Sequence, residues 1–114
     1  MANRITIRPA EGKWSVRAGG AVLGESAAAL ELDEEGYPPV IYFPRADLAM
    51  AFLERTEAAS HCPWKGDATW FSIVTKSTTI PDAAWSYETP VEGVAAIAGH
   101  VAFRESDQVT VERI

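Results

Sequence analysis

A single cysteine in 114 residues excludes an intramolecular disulfide framework, and a free thiol suits a reducing compartment. No apolar run approaches the ~18 residues needed to cross a bilayer. The N-terminal Met1-Ala2-Asn3-Arg4-Ile5 lacks the apolar stretch of a signal peptide, so the expected location is the cytoplasm. Basic residues are scarce, ten against sixteen acidic ones, for a net charge of −6. Duplex nucleic acid and anionic membranes both demand a positive face, so neither is an expected partner. The chain also has no Gly-rich phosphate loop and no Asp-x-Asp pair in a strand setting. Metal-assisted phosphoryl transfer therefore lacks its usual ligands. Cys-x-x-Cys and His-x-x-x-His are missing too. Cys62, His61 and His100 fall short of a zinc set without a carboxylate, so no metal and no cofactor is expected.

What is present is enough for a core. The hydrophobic fraction is 47%, and a chain of this length buries roughly 65% of its unfolded surface. Residues 1–114 read as one domain, with no linker, low-complexity run or internal repeat. Ile5 and Ile7 alternate with Thr6 and Arg8, and Trp14, Val16 and Ala18 alternate with Lys13, Ser15 and Arg17. Both patterns predict strands. Gly19-Gly20 predicts a tight hairpin turn, with residues 21–23 returning. Leu30 and Leu32 flank Glu31 with strand period, although Ala27-Ala28-Ala29 would also suit a helix.

Residues 33–39 have turn chemistry. Val40-Ile41-Tyr42-Phe43 predicts a strand ended by Pro44. The pattern predicts one short helix over 47–54, with Leu48 and Phe52 four apart and apolar residues around most of its circumference. Residues 57–67 read as an irregular loop. Residues 69–75 predict a strand with both faces apolar, hence an interior one. Residues 82–87 predict another, with Trp85 and Tyr87 on one face. Residues 100–104 and 109–113 read as a hairpin around Glu105-Ser106-Asp107-Gln108. About seven strands and one helix give a mainly β fold. It is expected to be a single compact antiparallel domain, either a curved sheet pair or a partly open barrel.

Chemistry concentrates in His61-Cys62-Pro63-Trp64-Lys65-Gly66. Cys62 is a candidate nucleophile with His61 as its base, against the alternative of a small buried hydrophobe. Arg45 and Lys65 sit beside proline and aromatic residues, as candidate anchors for a small anionic ligand. The competing reading pairs Arg45 with Asp47, Glu31 or Glu54, and Lys65 with Asp67. Tyr42 and Tyr87 are candidate hydrogen-bonding walls of the pocket, with Trp64 and Trp85 as apolar cover. Asp82 reads as a cap or turn anchor. Glu31 becomes an acid/base only if the fold brings it beside Arg45.

Three blocks resemble the family known as domain of unknown function 427, which has also carried a nucleotidyltransferase-like name. They are Tyr42-Phe43-Pro44-Arg45-Ala46-Asp47, then His61 through Ala68, then Ala84-Trp85-Ser86-Tyr87 with Pro90 and the stretch from Ile97 to Phe103. Trp64 stands where members of the family often have tyrosine. The resemblance implies a compact β-rich domain. Three readings of function stay open: a small-molecule site, enzymatic if Cys62 reacts; an interaction or homodimer module using the apolar helix 47–54; and nucleotide transfer.

Overall fold

The computed structural model describes residues 4–114. Met1-Ala2-Asn3, read above for a targeting signal, lie outside them. Among the described residues, ten strands form three antiparallel sheets. The first joins β1 (Ile5–Pro9), β4 (Leu30–Glu34) and β5 (Val40–Tyr42) in the order β1-β4-β5. The second joins β2 (Trp14–Ala18), β3 (Ala21–Ser26) and β10 (Val109–Arg113) in the order β10-β2-β3. The third runs β6-β7-β8-β9, from Leu53–Cys62, Gly66–Val74, Thr79–Ser86 and Val101–Phe103. The mainly β, antiparallel expectation holds, and the three sheets do not close into one barrel. The Cα radius of gyration, 13.5 Å, is that of a compact chain of this length, about 13 Å.

The sheets hook together at two points. Phe43 continues β5 and exchanges both backbone hydrogen bonds with Val101 of β9, at 2.8 and 2.9 Å. Gly24 of β3 bridges Leu48, and the Ala49 N–H donates to the Leu23 carbonyl at 2.8 Å. A glycine is required at this crossing. A Cβ on Gly24 would lie 2.4 Å from the Asp47 carbonyl oxygen.

β7 is central in the third sheet, and strand alternation sends its side chains to two cores. Phe71 and Ile73 enter one core with Val16, Leu23, Phe43, Val101 and Phe103. Phe43, fully buried, packs edge-on against Phe103 with ring centroids 5.9 Å apart. Ala68 and Trp70 belong to the second core, with Leu32, Tyr42, Tyr87 and Ile97. Two apolar faces on one strand, as expected over 69–75, follow from this central place.

Several expectations are corrected. The helix over 47–54 is replaced by two 3-10 turns, Arg45–Asp47 and Met50–Phe52, before β6 begins at Leu53. Leu48 is extended and buried between them, committed to its bridge with Gly24, and Phe52 packs on the first core. Leu48 is buried and Met50, Phe52 and Leu53 are partly covered by the first core, so these residues do not form the continuous apolar helix face expected for homodimer contacts. The loop expected over 57–67 is a hairpin of β6 and β7, with Cys62 paired to Gly66. β9 and β10 do not form a hairpin with each other: β9 pairs with β8 and β10 with β2. The Gly19-Gly20 turn is as expected, with φ of 55° and 87°. Among the described residues no helix is long and apolar enough to cross a membrane.

Candidate functional site

The site begins with the turn of the β6–β7 hairpin. Pro63 cannot donate to the ladder, so strand pairing ends at Cys62. The Lys65 N–H then closes the turn on the Cys62 carbonyl at 3.1 Å. Gly66 resumes the strand at φ +118°, a conformation that glycine alone adopts without strain. The Lys65 carbonyl also accepts from the Val91 N–H at 2.9 Å, which ties the turn to the segment after β8.

This closure folds the Lys65 side chain back over its own hairpin. Its ammonium donates to Cys62 Sγ at 3.6 Å and to Glu34 Oε1, on β4, at 2.8 Å. Both side chains of this ion pair are shielded, 12% and 11% exposed. Tyr42, on β5, is fully buried, and its hydroxyl accepts from the Trp85 indole N–H at 3.2 Å. Tyr87 is buried beside the same core, and Cys62 packs against it. Trp85 stacks at a tilt on Trp70, with centroids 5.5 Å apart.

Electrostatics within the cluster are coupled. Burial pushes the Tyr42 phenol well above its ordinary value, and the Trp85 hydrogen bond only partly opposes this. Burial likewise raises Tyr87, against the pull of the Lys65 charge. For Lys65, burial works against the ammonium. The Glu34 hydrogen bond, with Cys62 and Tyr87 nearby, outweighs it, so this lysine holds its proton above the usual range.

The remaining candidates lie elsewhere. His61 and Cys62 are consecutive on β6 and point to opposite faces. His61 is exposed and bonds Asp67 Oδ1 through Nδ1 at 2.7 Å, so the structure does not bring it to the sulfur. Arg45 is spent on other partners. Its Nε donates to the Gly99 carbonyl at 2.6 Å and its Nη2 to Ser86 Oγ at 3.4 Å. It also forms an ion pair with Glu88. Its guanidinium carbon lies 5.7 Å from the Phe71 ring centroid. Ser86 bonds Arg45 while the adjacent Trp85 packs with the second core, so strand alternation puts Arg45 and Lys65 on opposite sides of β8. Trp64 is half-buried within the turn. His100 Nδ1 lies 3.3 Å from the Ala98 carbonyl, and Glu31 meets Arg8, not Arg45. Asp82, expected as a cap or turn anchor, lies instead within β8 at a register shift against β7, with φ 47° and its buried Oδ1 without a hydrogen-bond partner. Among the described residues no three His, Cys, Asp or Glu side chains gather to hold a metal ion.

Glu34 is the participant missing from the sequence reading. The signal was present: Leu30 and Leu32 define the inward face of β4, and two more residues along that face bring Glu34. A carboxylate at the end of an apolar row needs a cation.

A family model described as a domain of unknown function, DUF427, matches residues 6–113. The chain belongs to this family. No curated protein matches it. The DUF427 match runs from β1 to the penultimate residue, so the family unit spans all three sheets and both walls of the Lys65 cluster. Its description names no reaction.

Proposed function

We propose that this DUF427 domain binds a small polar ligand where Lys65, Glu34, Cys62 and Tyr87 meet, with Tyr42 and Trp85 behind them. One observation carries the reading: a shielded ammonium holds a carboxylate and touches a thiol at once. Such a pair contributes little net stability, because stripping water from two charges costs about what their attraction returns. Two tyrosines with raised pKa surround it, and perturbed groups in one cluster mark functional sites. A bare anion would have to displace Glu34 from Lys65. A neutral ligand with adjacent donor and acceptor, such as a primary amide, bridges the two without breaking the charge balance. Arg45, already matched by Glu88, serves the fold.

The test is a titration of the labelled protein with acetamide, acetate and inorganic phosphate, followed by NMR. Saturable shifts at Lys65, Tyr87 and Cys62 that weaken in Tyr87→Phe support the site. No shift at these residues with any of the three, or equal response in Tyr87→Phe, overturns it. The contact between Lys65 and Cys62 favours a second, catalytic reading, with the sulfur as nucleophile and Lys65, in place of His61, as the group that reaches it. Alkylation of Cys62 that is slowed by Lys65→Met relative to an unfolded control supports that reading, and an unchanged rate removes it. Nucleotide transfer predicts thermal stabilisation by magnesium nucleotides, and its absence ends that alternative.

A further inference from the structure

We propose that the protein has a separate site for a small organic cation, in a cavity walled by two tryptophans and two glutamates. The cavity measures about 300 Å³, at the small end of ligand sites. Its walls include Trp14, Val40, Trp85 and Phe103, with Glu31 and Glu105 supplying the charge. No lysine, arginine or histidine lines it. Both indole N–H groups are already satisfied, Trp14 by the Glu11 carbonyl at 3.0 Å and Trp85 by Tyr42 Oη at 3.2 Å. The rings are thus held in place, and what they offer a ligand is aromatic surface rather than a donor. Such a surface attracts a cation placed over it.

The carboxylates are only partly matched. Arg8 bonds Glu31 at 2.6 Å but is shared with Asp33, one cation against two anions. Glu105 accepts the Val111 N–H through Oε1 at 3.2 Å and forms no ion pair among the described residues. An apolar hollow with unmatched negative charge repels carboxylates and phosphates. It suits an ammonium with a short hydrocarbon body, where charge and shape act together. Lys65, Glu34, Cys62 and Tyr87 are no part of this cavity; Trp85 borders both sites, so Trp14 and Glu105, which belong to this one alone, tell a ligand here from the ligand proposed above.

The experiment compares choline with dimethylbutanol, its uncharged carbon isostere, by calorimetry and by the indole N–H signals of Trp14 and Trp85. Choline is expected to bind saturably and to move both signals, with the isostere at least ~5-fold weaker. Glu105→Gln keeps the acceptor for Val111 and removes the charge, and is expected to weaken choline by ~3–10-fold. Equal binding of the two compounds, unmoved indole signals, or undiminished affinity in Glu105→Gln overturns the proposal.

Discussion

Replacing Lys65 by methionine tests the centre of the candidate site. Methionine keeps most of the volume and removes the charge. Glu34 would then keep a carboxylate that is only 11% exposed, facing the core that holds Leu32 and Tyr42. Breaking a buried pair costs about 3–5 kcal/mol. Here the rim of each side chain still touches water, so the expected loss is about 2–3 kcal/mol. For a chain of this length that lowers the Tm by roughly 8–12 °C. Glu34→Gln should cost less, about 1–2 kcal/mol, because the amide oxygen still accepts from Lys65. The double variant should be more stable than the two losses predict, with a coupling of about 1–3 kcal/mol. Urea denaturation followed by tryptophan fluorescence gives all four corners of the cycle. Lys65→Met within about 0.5 kcal/mol of the parent, or strictly additive losses, would refute the claim that these charges depend on each other.

Lys65, Tyr42 and Tyr87 all bind their protons more tightly folded than unfolded, so the unfolded chain releases protons first as pH rises. Their contribution to stability is complete below about pH 10 and is lost above it; the urea midpoint should fall there, less steeply in Tyr42→Phe and Tyr87→Phe. A midpoint that stays level or climbs from about pH 9 to 11 contradicts the burial of the two tyrosines and the pairing of Lys65 with Glu34. Gly24→Ala forces a Cβ to 2.4 Å from the Asp47 carbonyl and 2.7 Å from Leu48 Cδ2. It should cost about 3 kcal/mol and speed amide exchange at Ala49, whose N–H spans the same crossing; a parental Tm would show that the crossing yields freely.

Legibility of the fold tracked how locally each element is determined. The Gly19-Gly20 turn needs only positive φ at two residues, and two glycines supply it. The run ending in Phe43 is β-branched and aromatic, and its burial matches. β6 carried no such mark. It is an edge strand with most of its residues exposed, and it owes its conformation to pairing with β7. Its polar sequence therefore reads as loop, and the apolar residues just before it read as helix. The error at the C-terminal end has a different source. β9 and β10 each have the right alternation, but alternation does not name a partner. β9 reaches β8, and β10 reaches β2 some ninety residues back in the chain.

The same distinction separates the two cations. Arg45 and Lys65 look equivalent in sequence, each beside proline and an aromatic ring. Strand parity divides them: at the end of β8, Ser86 faces the arginine, while Trp85, and Tyr87 just past the strand, belong to the lysine's core. On its side, Arg45 has its Nε and Nη2 engaged by a carbonyl, a hydroxyl and a carboxylate, and it lies against an aromatic ring. A guanidinium so fully engaged fixes the end of β8 to the turn at Gly99 and has little left for a ligand. Lys65 has a carboxylate and a soft sulfur acceptor, and an ammonium donates three hydrogen bonds. The third donor is what a bound acceptor would use. A functional reading of this domain therefore rests on the lysine and on Glu34, the partner that β4 periodicity placed on the same inward face.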